Sequence, residues 1–475
     1  MLEKIFKAYD VRATYPEPLN EDAAWKVGYA SGRFLAQDVA ENRESGTSRP
    51  DTVAVSRDMR PQSGSLAEAL IAGLRASGTN VVDLGECDTS FIYFAINHLG
   101  TVGGIQVTAS HNPINYNGFK ICGQLARPIG AESGLNTIRD IALSLTPREV
   151  KEASENEAGQ GTIEQADLWA PYREHVLKFY TPPAHGRSLK VFVDGSNGMA
   201  GAMIPKVFDG VPGLDLIDLN FEHGPTVPFA HQPNPLVPEN MVPTQEGVAE
   251  HKTDAGACFD GDADRCMFTD EKGQILGCDH LTALLARHFV KENADTTVIY
   301  DLRSSKIVEK TITDLGARPQ KCRVGHVYMK QALRQTQGIF GGELSGHFYF
   351  RDNFYTDSGA IAFASVLSVL GQSDKTLSEL IAPFQVYPQS GEINFEVEDK
   401  AGVIETLREK YADAHIDDLD GVTIDCFDDK GWWFNVRASN TEPLLRLNAE
   451  AKDDQQLQQL LSELKPMLGK ETVEH

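Results

Sequence analysis

The sequence predicts an α/β protein of four domains, the first three built on mixed or mostly parallel sheets and the last a smaller α+β unit. Three observations lead there. Short β-rich runs ending in polar or glycine-containing loops recur at long intervals, TVAVSRD, KVFVDGSNG and TVIYDLRSS being the clearest, and a helical pattern follows each. The C-terminal part instead gathers four strand-like runs, GEINFEVED, GVTIDCF, GWWFNVRAS and PLLRLNAEA, around helical patterns near residues 401–411 and 453–468. Finally, 475 residues leave room for several separate cores at roughly 100–200 residues per domain.

Taken in order, the first domain spans 1–158. After its TVAVSRD run, Ser65 stands three residues before Glu68, Leu66, Leu70 and Leu74 follow at helical spacing, and Gly78 lies beyond; capping box, apolar stripe and stop signal predict one helix. The polar stretch KEASENEAGQGT (151–162) marks the first boundary. The second domain, 159–273, holds the KVFVDGSNG run. The third, 274–384, has helical stripes near Leu281 to Val290 and Ala360 to Leu370 between strand-like runs, which implies parallel strands joined by crossover helices. The PFQVYPQSG segment (383–391) opens the last domain, 385–475. Ligands in such sheets collect at the carboxyl ends of strands, so the loops there carry the expected chemistry.

Composition narrows the partners. Asp and Glu number 68 against 44 Lys and Arg, a net charge of -24 that argues against a phosphate-tracking nucleic-acid surface. Any phosphate on a small substrate must therefore meet basic residues gathered locally. Seven Cys without a CxxC pair suit reduced thiols better than a disulfide framework, and Cys258 and Cys266 read as core residues. The start, MLEKIFKAYDVRATYPEP, has no continuous apolar segment, and no stretch of eighteen apolar residues occurs anywhere. The expectation is a cytoplasmic protein with no membrane partner.

TASHNPINYNGFK (108–120) packs a hydroxyl, an imidazole, a proline and three Asn into a tight polar turn after the apolar run GGIQV. A bare Ser-His-Asn-Pro turn is equally a helix cap. As chemistry, His111 cannot easily act as base on its own neighbour and G-x-S-x-G is absent, so hydrolase logic fits poorly. A phosphoryl-carrying Ser110 fits better, with His111 and Lys120 as donors, and it calls for a divalent cation. CFDGDADR supplies one place for it: Asp260, Asp262 and Asp264 alternate, so extended backbone points three hard oxygen ligands to one side, suited to Mg²⁺. A calcium EF-hand is excluded because its sixth position needs Gly and this chain has Arg265. A solvated acidic turn is the alternative, although Arg265 there makes better sense as a phosphate clamp. Further on, VRASNTEP offers Arg437, Ser439, Asn440 and Thr441, the makings of a phosphate pocket or of a plain polar hairpin loop.

TASHNPINYNGFK, FDGDADR, GELSGH and VRASNTEP, in this order, resemble the four motif loops of the α-D-phosphohexomutase superfamily, phosphomannomutase/phosphoglucomutase branch, and the likeness runs from FKAYDVR to RASNTEP. The resemblance implies four domains around a central cleft, each giving one loop, with the last domain as a lid. It implies a hexose 1-phosphate/6-phosphate mutase acting on mannose and/or glucose through a phosphoserine at Ser110 and a hexose 1,6-bisphosphate intermediate. It assigns one Mg²⁺ to Asp260, Asp262, Asp264 and the Ser110 phosphate, and makes Lys120 and His347 the proton-transfer candidates. It gives Glu343 and Ser345 the sugar hydroxyls and the loop of Arg437, Ser439, Asn440 and Thr441 the phosphate that is not transferred. It adds Tyr9, Arg12, Arg303, Gly325 and His326 to the substrate cleft, in a monomer or homodimer.

Three departures accompany the likeness. Ala13 follows Arg12 where relatives commonly carry Gly; Arg303 stands where some use Lys, a planar fork in place of a point charge; and GELSGH has Leu344 where phosphoglucosamine mutases typically have Gln. Phosphoglucosamine mutase is accordingly the second reading, and a non-catalytic sugar-phosphate or metal-binding protein the third.

Overall fold

The computed structural model describes residues 2–291, 293, 295–439 and 444–472. Four sheets follow one another along the chain. In the first, β1 (Val11–Thr14), β2 (Arg49–Arg57), β3 (Asn80–Glu86), β4 (Thr101–Val107), β5 (Tyr116–Cys122) and β6 (Ile163–Gln165) lie in the order β1-β5-β4-β2-β3-β6. Strands β4, β2, β3 and β6 are parallel, and β5 turns back antiparallel between β4 and β1. The second sheet orders β7 (Leu189–Asp194), β8 (Leu214–Leu219), β9 (Ala255–Phe259) and β10 (Cys266–Thr269) as β10-β9-β7-β8, only β10 being antiparallel to its neighbour.

The third sheet orders β11 (Thr297–Asp301), β12 (Arg318–Cys322), β13 (Phe340–Gly342), β14 (Phe348–Phe350) and β15 (Thr356–Asp357) as β12-β11-β13-β14-β15, with β14 and β15 antiparallel. The fourth, β16 (Gln389–Glu396), β17 (His415–Asp417), β18 (Val422–Cys426), β19 (Trp432–Ala438), β20 (Leu444–Ala451) and β21 (Lys470–Thr472), is antiparallel throughout in the order β17-β18-β19-β20-β16-β21. The expected architecture is therefore present: three α/β units with mixed sheets and an α+β C-terminal unit.

One feature of the topology differs from the expectation of parallel strands with crossover helices. Each of the first three polar motifs is the turn of an antiparallel hairpin, β4–β5, β9–β10 and β13–β14, and the fourth motif falls at the ends of the antiparallel pair β19 and β20. A hairpin returns the chain at once and so places its turn at the end of the sheet, while the parallel runs TVAVSRD, KVFVDGSNG and TVIYDLRSS supply the loops beside it.

Two further expectations need correction. The helix after TVAVSRD is Ser63–Ala76 with Leu66, Leu70 and Leu74 buried, but Gln62 is its N-cap and makes no side-chain cap bond. Ser65 lies within the first turn, past the start of the helix at Ser63, so it cannot be the cap; its hydroxyl donates to Glu21 on helix Glu21–Glu41 at 2.7 Å instead. The boundary at 158/159 also moves: Ile163–Gln165 pairs with β3 of the first sheet. This short strand is exposed at all three residues, so it carries no alternation to read.

Packing divides the chain differently from its sheets. The second and third units share one apolar core, which also takes in the face of the first unit that carries Phe91, Ile92 and Ile96, so the passage from the second sheet to the third is not a gap in packing. Helix Gly359–Gly371 buries Ile361, Phe363, Val366, Leu367 and Leu370 in it; at about 1.5–3 kcal/mol for each large side chain, this contact is permanent. The fourth unit has a core of its own, centred on Phe395, Phe434, Leu447 and Leu464. It meets the third unit largely through polar groups: Lys306 reaches Asp425 at 2.5 Å, its amide donates to Glu450 at 2.9 Å, and Gln389 donates to Asp279 at 2.8 Å. Such an interface suits a unit that changes its angle to the rest. Among the described residues no helix is long and apolar enough to cross a membrane, and all seven Cys are buried free thiols.

Candidate active site

The serine turn between β4 and β5 is held from beneath by Arg60, in the loop after β2. Its Nη2 donates to the carbonyls of Ser110 and Asn112, both at 2.7 Å, and its Nη1 to those of Pro113 at 2.7 Å and Tyr116 at 3.1 Å. Nε pairs with Asp58 at 3.1 Å, with both side chains 0% exposed. One planar fork thus ties together four carbonyls of the turn. Ser110 sits at φ +51, its amide donates to Thr108 Oγ1 at 2.9 Å, and its hydroxyl is directed at Asp260 Oδ2, 3.0 Å away. Arg60→Ala strands Asp58 as a buried unpaired charge, so a loss of about 3–5 kcal/mol is expected. Calorimetric melting checks this, with Arg60→Lys recovering part of the loss.

The acidic turn between β9 and β10 brings Asp260, Asp262 and Asp264 together at 0%, 0% and 2% exposure, each offering an oxygen within 4.8 Å of the others. Lys120 on β5 spans two of them, 2.6 Å from Asp262 Oδ2 and 2.5 Å from Asp264 Oδ2. Arg265 Nε pairs with Asp260 at 2.8 Å, and its Nη2 donates to His111 Nδ1. Thr89, which opens helix Thr89–Leu99, clasps Asp262 twice: its hydroxyl donates to Oδ2 at 2.5 Å and its amide to the backbone carbonyl at 3.0 Å. A Cβ at Gly261 would lie 2.4 Å from the carbonyl oxygen of Ser110, so only glycine lets the acidic turn come this close to the serine turn.

Electrostatics follow from this crowding. Burial raises the carboxyl of Asp260, and with Asp264 and Asp262 beside it outweighs Arg265 and Lys120, leaving it at about 7. Burial also opposes the charge on Asp264, but Lys120 and His347 hold that carboxyl well below the ordinary range. His111, buried and facing Arg265, Arg12 and Lys120, is pushed well down and is neutral. Asp262 Oδ1 and Asp264 Oδ1 are buried without a hydrogen-bond donor among the described residues. Three clustered carboxylates with two such orphaned oxygens fit a hard divalent cation such as Mg²⁺. The cluster of Asp194, His231 and Cys258 is a poorer fit. His231 and the amide of Ser196 already use the Asp194 carboxylate, and burial keeps the Cys258 thiol protonated.

The turn between β13 and β14 faces the acidic turn through His347, whose Nε2 lies 3.5 Å from Asp264 Oδ1 and 3.7 Å from Asp357 Oδ2; its Nδ1 meets the Ser345 hydroxyl at 2.8 Å. Asp357 is in turn held by Lys330 at 2.8 Å, and Lys330 donates to Tyr93 at 2.9 Å. Burial lowers the affinity of His347 for a proton, but Asp264, Asp357 and Glu343 outweigh it and the net shift is upward. Glu343 is oriented by the amide of Gly325 at 3.1 Å and the Tyr349 hydroxyl at 2.8 Å. The His326 ring packs between those of Tyr9 and His347, at 5.8 Å and 6.3 Å. Arg12 donates to Asn112 in the serine turn at 2.7 Å. Arg303 pairs with Asp301 at 2.7 Å and comes within 3.9 Å of Glu343. The first three loops therefore converge.

Of the last motif, Arg437 and Ser439 are buried at 7% and 6% exposure; Asn440 and Thr441 lie outside the described residues. Arg437 donates to Glu392 at 2.7 Å, where Arg303 and Arg446 also arrive. Burial raises the Glu392 carboxyl, but Arg437, Arg303 and Arg446 overcome it and set it at about 2, below the ordinary 4.5. A depressed carboxyl stabilises the fold above its unfolded value and loses that contribution as pH falls through the folded one. The window runs from pH 4.5 down to about 2 and holds about 2–3 kcal/mol. Urea unfolding followed by tryptophan fluorescence should show this loss between about pH 5 and pH 2, and Glu392→Gln should flatten it.

Arg60, Thr89, Lys330, Asp357 and Glu392 are site-supporting residues that the sequence reading did not single out. Against this geometry, residues 3–149, 170–273 and 278–387 match the phosphoglucomutase/phosphomannomutase α/β/α domains I, II and III, and residues 392–466 match the C-terminal domain. The chain is 38% identical over 455 residues to a phosphomannomutase of Escherichia coli, covering 94% of this chain and 95% of that one. It is 38% identical over 453 residues to phosphohexose mutases of Xanthomonas campestris pv. campestris, with the same two coverages of 94% and 95%. Its structure resembles that of a phosphoglucomutase/phosphomannomutase family protein from Burkholderia thailandensis with TM-score 0.82 at 29% identity, over 98% of each chain. Four units of this kind, each carrying one motif turn, define the α-D-phosphohexomutase class. The chain belongs to the four-domain phosphoglucomutase/phosphomannomutase family of that superfamily.

Proposed function

We propose that this chain is a Mg²⁺-dependent mutase interconverting the 1- and 6-phosphates of mannose and/or glucose, with Ser110 as the phosphoryl carrier. The observation that carries the reading is the Ser110 hydroxyl directed at Asp260 beside Asp262 and Asp264, all buried. When bound by these aspartates and the Ser110 phosphate, Mg²⁺ would supply charge neutralisation at the transferring phosphoryl group. A sugar hydroxyl attacks the phosphorus on Ser110; the new P–O bond forms as the serine P–O bond breaks, leaving a hexose 1,6-bisphosphate and a serine oxygen to be rephosphorylated from the other end.

Lys120 and His347 are the two candidates for the group that takes the attacking hydroxyl's proton. Lys120 bridges Asp262 and Asp264, and His347 lies 3.5 Å from Asp264 Oδ1, so both stand beside the transferring phosphoryl group, with Arg265 as a fixed cation. Glu343 and Ser345 hold sugar hydroxyls, Tyr9, Arg12, Arg303, Gly325 and His326 line the cleft, and Arg437, Ser439, Asn440 and Thr441 hold the phosphate that is not transferred. The relative named phosphomannomutase favours mannose, and the match to phosphoglucomutase/phosphomannomutase domains favours glucose beside it. Incubation with Mg²⁺, a trace of glucose 1,6-bisphosphate and mannose, glucose or glucosamine 1-phosphate is expected to give the 6-phosphate of mannose or glucose. Conversion of glucosamine 1-phosphate alone would replace the reading with phosphoglucosamine mutase, and no product from any sugar would end it.

A further inference from the structure

Glu392 stands at the meeting of two units. Its carboxylate takes Arg437 Nη2 at 2.7 Å, Arg446 Nη1 at 3.2 Å and Arg303 Nη1 at 3.3 Å. Arg437 and Arg446 belong to β19 and β20 of the fourth unit, and Arg303 to the third. The placement is built into the strand. Gly391 has φ +65, and the register of β16 against β20 shifts between Gln389 and Glu392; a bulge of this kind re-aims the side chain that follows it. Two nitrogens of Arg303 already bond the Asp301 carboxylate, so the single charge of Glu392 chiefly faces the guanidiniums of the fourth unit. A phosphate dianion brings twice that charge and more acceptor oxygens, and Arg437 is a fork suited to either anion.

We propose that Glu392 is a resident anion of the phosphate pocket: it holds Arg437 poised, links it to Arg303 across the two units, and gives it up to the substrate's distal phosphate. This rests on the assignment of loop 436–443 to that phosphate. A mutase must grip a bisphosphate firmly enough to react and loosely enough to turn it end for end. A carboxylate that retakes Arg437 as the phosphate leaves lowers affinity and speeds release, and its bridge to Arg303 restores the angle between the units. Glu392 is thus a positioning residue that tunes exchange of the intermediate and touches no reacting atom.

The test compares wild type, Glu392→Gln and Glu392→Asp by calorimetric titration with inorganic phosphate and by steady-state kinetics with glucose 1-phosphate. Gln keeps the size and an acceptor oxygen but removes the competing charge. The Kd for phosphate and the KM should both fall, by about fivefold for one unit charge removed at this range, while kcat falls because the bisphosphate is retained. Glu392→Asp should return both toward wild type, and the tighter phosphate binding should vanish when Arg437 is also changed to Gln. Unchanged or raised Kd and KM in Glu392→Gln would overturn the proposal. If wild type converts no hexose 1-phosphate yet Glu392→Gln binds phosphate more tightly through Arg437, the mutase reading fails and the resident anion stands.

Discussion

Ser110→Ala is expected to lower turnover of hexose 1-phosphate by at least about a thousandfold, because it removes the atom that carries the phosphoryl group and leaves only binding and electrostatic contributions. The fold should survive. Ser110 contributes one hydroxyl, to Asp260, and the turn is held by Arg60 through backbone carbonyls, including that of residue 110 itself. The melting temperature should therefore stay close to wild type while rapid-quench assays find no phosphoryl-enzyme. Wild-type turnover in Ser110→Ala would remove the nucleophile from the account and favour a binding protein or a different carrier.

Asp262→Asn should have an effect of the same order, about 10²–10⁴-fold in kcat, for a different reason. Asn keeps the shape and an acceptor for the Thr89 hydroxyl, but one of three ligand charges is gone and Lys120 loses a partner. Raising Mg²⁺ should recover only part of the loss, and chelation of the wild-type enzyme should mimic the variant and be reversed by Mg²⁺. Burial and Asp264 oppose the Asp262 charge, but Lys120 and Thr89 outweigh them and hold the carboxyl below its ordinary range, so the variant should also melt somewhat lower than wild type. A variant with wild-type turnover and unaltered Mg²⁺ dependence would place the cation elsewhere.

How much of this was legible depended on whether a residue's partners share its stretch of chain. Ser110, His111 and Lys120 fall within one turn and its strand, and the three aspartates alternate within five residues, so both sites stood out locally although the fold joins them across 150 positions. Arg60 gave no such sign: its acceptors are carbonyls 50 or more positions away, and a backbone oxygen leaves no mark in a sequence. Thr89 clasps Asp262 from another unit, while Lys330 and Asp357 reach His347 only because β15 lies beside β14. Glu392 read as an ordinary polar position in a strand. The helix after TVAVSRD was legible from Leu66, Leu70 and Leu74, but its start was not, because the helix begins at Ser63 after Gln62, which makes no side-chain cap bond and so leaves no capping signal to read. Hairpin and crossover connections could not be told apart because β4, β9 and β13 are buried at every residue, as parallel strands are.

The most direct test of the account is the fate of one phosphoryl group. Wild-type protein incubated with Mg²⁺ and glucose 1,6-bisphosphate, freed of sugar and analysed by peptide mass spectrometry should carry a single phosphate on Ser110, and adding unlabelled hexose 1-phosphate should discharge it into the sugar bisphosphate within one turnover. Phosphate found on another residue, or a Ser110 phosphate that stays in place while the 6-phosphate accumulates, would contradict the claim that Ser110 is the carrier.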